Sequence, residues 1–403
     1  MKKFALASYA LYLLGGLVIT AVGSVLPQLL THYHVSYTVG GQLVLLSSLG
    51  FLIGVPLSSF LLGRFKEMNL LTIAALMITL SQIGMLLLPP FEWIIAFNFL
   101  NGIGVATLEV VVATLMMEVF IGRRAIVMSY LEVSFGLGAL LMPLVASLLI
   151  SQNSWRFSFF ITSVLALLMV VVCKMIPFKK ETVLTSESDA LDASSEPAPV
   201  LSKNQRWKIL VLFSVMIFMY AGVESSMNNF LSSIFIAYLD VIPSQATLSI
   251  SVFWVAMLIG RVATGWIIRT VTYERYLFGS IGGTIVSLVL FILLKEAVAG
   301  YILLAFLGLA MSGIYSITMV YANHTFTGSA RIVTSLITGF SGLGGAVFPA
   351  FIGFTMDASG IPSALWYITA FACLYLLALC IIFSVQRNAK QKSNDPVQAQ
   401  AMK

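Results

Sequence analysis

Two glutamates lie deep inside long apolar segments of this sequence. Glu109 lies in the run GVATLEVVVATLMMEVF and Glu132 in the run LEVSFGLGALLMP, with a short basic turn between the two segments. Each segment is long enough to cross a bilayer. A charge in hydrocarbon costs at least ~2.5–3.5 kcal/mol, so an intramembrane acid is a functional candidate by default. We therefore take these two carboxyl groups as the first candidates for chemistry.

Glu109 shares one helical face with other polar residues. Asn98, Asn101, Val105 and Glu109 follow one another at steps of three or four residues, which return to one stripe of an α-helix. A polar stripe is unfavourable against lipid, so we expect it to face a central cavity. Because removal from water favours the neutral form of a carboxyl group, Glu109 is a candidate proton carrier. The alternative is a carboxyl group that only hydrogen-bonds a neighbouring helix.

Glu132 lies less deeply in its segment. It follows Ala125 by seven residues, which places it about 10 Å into the predicted span at ~1.5 Å per residue. Two roles stay open for it. It could be a proton or ligand site, or it could pair with Arg123 or Arg124 at the cytoplasmic edge and act as a gate latch.

Glu224 and Arg261 lie at a matching depth in two neighbouring apolar segments. An ion pair between them would cost less than two lone charges, either as a structural bridge or in contact with a substrate. Asn228 lies one turn after Glu224. Trp254 and Arg261 share a helical face, where the indole could stack on a sugar ring or simply pack. Further polar residues inside apolar segments are weaker candidates for substrate binding: Gln42, Asn229, Tyr315 and Thr318.

Other kinds of chemistry have no support in the sequence. There is no Walker A motif, which disfavours ATP-driven pumping, and there is no nucleophile triad. The three cysteines have no paired spacing and no histidine partners, so we expect buried free thiols rather than a disulfide or a metal site. We expect no cofactor, no metal and no enzymatic activity.

The composition indicates what must position these residues. The chain is 59% hydrophobic and 9% charged, with a mean hydropathy of +1.00, whereas soluble domains carry about 25% charged residues. This predicts an all-α integral membrane protein. Apolar runs mark twelve transmembrane helices, at 4–30, 41–62, 69–90, 92–119, 125–150, 157–176, 207–238, 246–270, 275–294, 299–322, 332–356 and 363–386.

The polar segments divide the chain and orient it. We predict an N-terminal six-helix bundle over 1–176, a flexible linker over 177–206, a C-terminal bundle over 207–386 and a tail over 387–403. Of the 22 Lys and Arg residues, Arg156 and Lys295 fall on the side opposite the N-terminus, and Arg261 lies inside a span. The positive-inside rule then predicts that both termini and the linker are cytoplasmic. The net charge of +6 has the same origin, so we expect no nucleic-acid partner.

The two halves repeat each other at an offset of 206 residues. Leu52-Ile53-Gly54 matches Leu258-Ile259-Gly260, Gly136-Leu137-Gly138 matches Gly342-Leu343-Gly344, and Pro143 matches Pro349. Two six-helix halves joined by a linker resemble the major facilitator architecture, which binds its substrate near the midplane between pseudo-symmetric halves.

Four motifs resemble one branch of that superfamily more closely. GVATLEVVVATLMMEVF and LEVSFGLGALLMP, with GVES in the seventh span and FWVAMLIGR in the eighth, look like the fucose–galactose–glucose:proton symporter family and especially its bacterial glucose:proton branch. The resemblance implies a role in proton coupling for Glu109.

The sequence also departs from the family pattern. Gly23 stands where the fucose branch carries an Asp, and the loop SFLLGRFKE keeps Arg64 but has Gly63 in place of Asp. Gly138 is separated from Pro143, unlike the Gly-Pro of drug antiporters. Arg64, Arg123, Arg124 and Arg261 are expected to be gating or structural charges.

The function expected from these patterns is proton-coupled symport of a neutral, glucose-like hexose by alternating access. We expect a monomer in the lipid bilayer of a bacterial inner membrane, with a sugar and protons as its partners. The alternative is a proton:drug antiporter that exports a small amphipathic compound. A non-transporting receptor or scaffold is a third reading, in which the intramembrane acids would have no use.

Overall fold

The computed structural model describes residues 2–62, 64–120, 124–175, 203–326 and 330–394. All regular structure in this part of the chain is helical, as expected where lipid leaves backbone polar groups no partner but the helix itself. The helices are α1 (Lys2–Tyr33), α2 (Tyr37–Leu62), α3 (Glu67–Leu86), α4 (Phe91–Val119), α5 (Arg124–Ser151), α6 (Phe157–Met175), α7 (Lys203–Leu239), α8 (Pro243–Ile267), α9 (Tyr273–Leu294), α10 (Ala297–Met311), α11 (Ile314–Thr325) and α12 (Ala330–Asn394).

The last helix contains two spans. At ~1.5 Å per residue its 65 residues would be about three times as long as the ~30 Å hydrocarbon core is thick. The break falls at Gly360, whose φ of 80° lies in a region that glycine adopts readily. The two arms of α12 on either side of Gly360 correspond to the eleventh and twelfth predicted spans.

The tenth predicted span is interrupted instead of continuous. α10 ends at Met311 and α11 begins at Ile314. The break releases backbone groups from the helical ladder, and the Tyr220 hydroxyl donates to the Met311 carbonyl at 3.1 Å. A side chain of the neighbouring helix thus satisfies a carbonyl at the break, as a broken membrane helix requires.

Every predicted span overlaps a helix, and the described residues therefore contain twelve spans. The third span is shorter than predicted, because Pro89 and Pro90 follow and α3 ends at Leu86. Most of the predicted linker and the end of the tail lie outside the described residues. Cys173 is buried as expected, whereas Cys373 and Cys380 are exposed.

Contacts in the two halves obey the 206-residue offset. Gly102 abuts the Ser47 carbonyl, and the equivalent Gly308 abuts the equivalent Phe253 carbonyl. In the same way Gly54 abuts Ala106, and Gly260 abuts Ser312, which are also 206 positions apart. The repeat seen in the sequence is therefore a repeat of helix packing, and the two six-helix bundles are pseudo-symmetric.

The halves meet along two antiparallel helix pairs, α2 with α12 and α5 with α8, and also where α1 contacts α7. Leu52 of α2 packs on Gly342, and the equivalent Leu258 of α8 packs on Gly136. These two contacts are also related by the offset, so the interface itself follows the pseudo-two-fold axis.

Polar contacts between the halves cluster at one end of the bundle. We call the end that carries residues 34–36 the outer end, following the charge-based prediction. There the Ser147 hydroxyl donates to the Ser244 carbonyl at 2.7 Å, and the Thr247 hydroxyl approaches the Ser24 carbonyl at 3.2 Å. The carboxylate of Asp357 receives two backbone N–H groups from the start of α2. The outer end is closed by these contacts.

Candidate binding cavity

A cavity of about 270 Å³ lies between the two halves. Helices α1, α2, α4 and α5 supply one wall, and α7, α8 and the first arm of α12 supply the other. Its polar lining consists of serines, amides and one acid: Ser47, Ser48, Asn98, Asn101, Glu224, Ser225, Asn228, Asn229 and Ser341. Trp254, Phe51 and Phe135 are its aromatic residues.

The cavity lies on the pseudo-two-fold axis. Five pairs of its described lining residues are 206 positions apart, namely Val18 and Glu224, Ile19 and Ser225, Val22 and Asn228, Ser48 and Trp254, and Phe135 and Ser341. At four of these pairs the N-terminal half supplies an apolar side chain and the C-terminal half a polar one. The cavity is therefore symmetric in position but asymmetric in chemistry.

Hydrogen bonds fix the amides of the C-terminal wall. The Trp254 indole N–H donates to Asn228 Oδ1 at 2.8 Å, which leaves the amide nitrogen of Asn228 as a donor. Asn229 Nδ2 donates to the Ser225 carbonyl at 2.8 Å, which leaves its amide oxygen as an acceptor. Neighbouring positions on α7 thus offer opposite hydrogen-bonding groups, and this spacing suits vicinal hydroxyls that both donate and accept.

The N-terminal wall carries two further amides. Asn98 Nδ2 donates to the Leu43 carbonyl at 3.0 Å, and Asn101 Oδ1 accepts from Gln82 Nε2 at 3.1 Å. Both residues are buried and both line the cavity. The predicted polar stripe of α4 therefore faces the cavity at Asn98, Asn101 and Val105.

Glu109 does not reach the cavity wall. It follows Asn101 by eight residues, about 12 Å along α4, and its Oε1 and the ring of Phe135 both lie beside Gly15 of α1. That oxygen is enclosed and accepts no hydrogen bond from any residue that the structure describes. Phe135 also lines the cavity, so the carboxyl group lies near the cavity without lining it.

Arg261 connects the two halves. Its Nη1 lies 3.6 Å from Glu132 Oε2, and its guanidinium lies 5.8 Å from the centroid of the Trp254 ring. The side chains of Arg261 and Glu132 are 32% and 56% exposed. The ion pair that we expected with Glu224 is replaced by one with Glu132, and Glu224 lines the cavity.

Other predicted site residues lie elsewhere. Gln42 is exposed and does not line the cavity. The Tyr315 hydroxyl pairs with Thr338 at 3.4 Å, and Thr318 is fully buried. Arg64 is exposed, with its guanidinium 4.0 Å from the Phe60 ring centroid. Arg123 lies outside the described residues, and so does the side chain of Arg124, the first residue of α5.

Several lining residues escaped the sequence analysis, although the repeat contained a signal for two of them. Subtracting the 206-residue offset from Trp254 and Glu224 gives Ser48 and Val18, and both line the cavity. Gln82, which does not line the cavity but donates to Asn101, was also missed, because one amide in the middle of α3 gives no pattern.

The fold and a central cavity between two pseudo-symmetric halves define a membrane transporter, and comparisons with known proteins agree. The chain belongs to the Major Facilitator Superfamily, whose family model matches residues 9–331. It is similar to the glucose/mannose transporter GlcP of Bacillus subtilis (strain 168), with 26% identity over 394 residues that cover 97% of this chain and 96% of the relative. The predicted membership and the resemblance to a bacterial glucose transporter are thereby confirmed.

Solved structures support the fold. The crystal structure of a D-xylose-proton symporter matches with a TM-score of 0.73 at 16% identity, covering 94% of this chain and 96% of that one. The nucleoside transporter NupG matches with a TM-score of 0.74 at 11% identity, covering 95% and 98%.

Proposed function

We propose that this protein is a proton-coupled symporter that imports a neutral hexose of the glucose type. The observation that carries the proposal is the chemistry of the cavity. Its described polar lining consists of four asparagine amides, the hydroxyls of Ser47, Ser48, Ser225 and Ser341, the indole of Trp254 and the carboxyl group of Glu224. Convergent neutral donors and acceptors suit a polyhydroxylated ligand without net charge.

The size and asymmetry of the cavity support a monosaccharide. About 270 Å³ is close to the lower end of the ~300–1,000 Å³ range of small-molecule sites. Amides of α4 in one half and of α7 in the other line it, together with the apolar Val18, Ile19 and Val22 of α1. A pyranose ring presents the same division into hydroxyl edges and an apolar face.

Glu109 is the proposed proton carrier. Its Oε1 is enclosed without a hydrogen-bond partner among the described residues, which disfavours the charged carboxylate, whereas the neutral acid is tolerated. Glu109 therefore binds a proton while it is enclosed and releases it when rearrangement of the halves admits water.

Glu132 and Arg261 are the proposed inner gate. They belong to different halves and pair beside the cavity residue Trp254. Breaking this pair lets the inner ends of α5 and α8 separate. With both termini in the cytoplasm, as the charge pattern predicts, this movement delivers the sugar to the cytoplasm of a bacterial cell.

Uptake by purified protein in liposomes tests the proposal. Labelled glucose or mannose should accumulate when the outside is made acidic, and a protonophore should abolish accumulation but leave equilibration. A matched batch of liposomes without protein gives the background. Lack of binding and uptake of every hexose, together with proton-driven movement of a cationic dye, would replace this proposal with drug antiport.

A further inference from the structure

A chain of three buried polar side chains leads from α6 through α3 to the cavity. The Thr162 hydroxyl on α6 donates to Gln82 Oε1 on α3 at 2.8 Å. Gln82 Nε2 in turn donates to Asn101 Oδ1 on α4 at 3.1 Å. Two carbonyls of α6 lie farther from the Thr162 hydroxyl, each at 3.1 Å, so Gln82 is its nearest acceptor.

The chain ends at an atom that faces the cavity. With Oδ1 of Asn101 occupied by Gln82, the amide nitrogen Nδ2 is the remaining polar atom of that side chain. It donates to no residue that the structure describes, and Asn101 lines the cavity. The orientation of the amide therefore decides whether the cavity is offered a donor or an acceptor at this position.

Packing of the bundle alone does not call for these polar groups. Gln82 and Thr162 are completely buried, where an unpaired amide or hydroxyl would be costly. At the equivalent positions, 206 residues later, the C-terminal half has Leu288, Leu307 and Ile368. The same helix packing is thus built there from apolar side chains, and the polar chain exists on the side where its last member reaches the cavity.

We infer that Thr162 and Gln82 are positioning residues that hold the amide nitrogen of Asn101 toward the substrate as a hydrogen-bond donor. The inference rests on the proposed sugar function and adds a specificity element to it. One hydroxyl of the sugar accepts from Asn101 Nδ2. Thr162 touches no part of the cavity and acts only through Gln82.

The test uses Thr162→Val, which keeps the shape of the side chain and removes the hydroxyl. Without the hydroxyl that donates to Gln82 Oε1, the Gln82 amide turns more freely, and Asn101 loses its fixed orientation. The KM for hexose uptake should rise roughly three- to tenfold, the usual worth of about one hydrogen bond, with the maximal rate unchanged. Thr162→Ser keeps the hydroxyl and should restore the wild-type KM.

A panel of monodeoxy glucose analogues separates positioning from general damage. In the wild type, one analogue should bind worst because it lacks the hydroxyl that Asn101 contacts. Thr162→Val should shrink the penalty of that analogue and leave the others unchanged. The deoxyfluoro analogue at the same carbon keeps an acceptor, so the wild type should penalise it less than the deoxy sugar. Equal penalties for these two would overturn the assignment of Asn101 as a donor.

Thr79→Val is the matched control, because Thr79 is a buried threonine of α3 whose hydroxyl donates to the Ala75 carbonyl of its own helix. It should leave KM and the analogue pattern unchanged. A uniform shift for all sugars in Thr162→Val, or a fall in maximal rate and melting temperature alone, would make the chain merely structural. If the wild type takes up no hexose at all, the proposed function fails first and the positioning role falls with it.

Discussion

The carboxyl group of Glu109 does not line the cavity but lies near it, beside Gly15. Phe135 contacts both the cavity and the space beside Glu109, so proton and sugar would occupy adjoining sites rather than one. Coupling then requires that the state of the carboxyl group affect the movement of α5, on which Phe135 lies. A protonated Glu109 can remain enclosed, whereas a charged one must be reached by water.

Glu109→Gln should abolish accumulation of sugar against its gradient and preserve exchange of internal for external sugar. Glutamine imitates the protonated acid, so the loaded carrier can still turn over, but no proton can leave. Counterflow and pH-driven uptake in liposomes measure the two activities separately. Glu92→Gln, at an exposed acid in the first turn of the same helix, should behave like the wild type. Normal accumulation by the Glu109 variant would remove this residue from the coupling mechanism.

Residue types predicted much of the cavity, but not the partners. Asn101, Glu224, Asn228 and Trp254 were found because polar and aromatic groups are conspicuous in apolar helices. The partner of Arg261 was not, since matching depth along two helices says nothing about which face each side chain occupies. Glu132 belongs to the other half, and only the packing of α5 on α8 brings it to Arg261.

The ion pair between Glu132 and Arg261 should contribute little to stability. Both side chains are partly exposed, and pairs of this kind are worth ~0.2–1 kcal/mol. A double-mutant cycle with Glu132→Gln and Arg261→Gln should therefore give a small coupling in detergent melting, but each single variant should change the rate of transport. Exchanging the two charges in one protein should recover part of that rate. A coupling of ~3–5 kcal/mol would instead indicate a buried pair. Glu224→Gln, combined with Arg261→Gln in a second cycle, is the control, because Glu224 forms no ion pair with Arg261.

At the scale of the helices, glycines determine how closely the elements approach. A Cβ atom added at Gly16 would overlap the Phe135 carbonyl of α5, and one added at Gly138 would overlap the Leu13 carbonyl of α1. Backbone contact between these helices fixes the position of Phe135, which lines the cavity. Small residues allow such close packing in membranes, where no hydrophobic effect drives helices together.

Gly16→Ala should destabilise the protein by roughly 1–3 kcal/mol, because α1 and α5 must move apart. Gly279→Ala is the matched control, since an added Cβ meets no atom within 4 Å there, and replacing glycine inside a helix reduces the entropy of the unfolded chain. Melting in detergent should show a loss for Gly16→Ala and no loss for Gly279→Ala. Equal melting temperatures would mean that the two helices are not in backbone contact.

Hydropathy predicted the helices well because length and apolar character are what a bilayer demands of a span. It did not predict the break between α10 and α11, since Ser312 and Gly313 interrupt the apolar run only briefly and the Tyr220 hydroxyl that satisfies the Met311 carbonyl lies on another helix. The repeat predicted two halves of similar structure, because glycines and prolines that recur 206 positions apart indicate the same helix packing in both. The repeat does not predict which polar groups form contacts between the halves, because these contacts depend on the positions of individual side chains.

Over the whole molecule, alternating access requires that the outer closure be strong enough to form and weak enough to open. Asp357 of α12 is the charged member of that closure. Its Oδ1 accepts from the Tyr37 N–H at 3.1 Å, and its Oδ2 accepts from the Thr38 N–H and the Thr38 hydroxyl, each at 2.6 Å. The carboxylate of one half thus caps the N-terminus of α2 in the other half, where a negative charge is favoured by the helix dipole.

Asp357→Asn should shift the protein toward the state that is open at the outer end. The variant keeps one oxygen acceptor but loses the charge, and a charge at a helix N-terminus is worth ~0.3–1 kcal/mol, or about a two- to fivefold change in the balance of states. The measurement is labelling of Ser48→Cys in the cavity by a membrane-impermeant maleimide added to intact cells, after Cys173, Cys373 and Cys380 have been replaced by serine. Labelling should become faster in the Asp357 variant.

Asp240→Asn, at an exposed aspartate that follows α7 at the same end, controls for loss of charge alone and should leave the rate unchanged. Equal acceleration by both substitutions would assign the effect to surface charge, and an unchanged rate in Asp357→Asn would mean that apolar packing of α2 on α12, not the cap, holds the outer end closed.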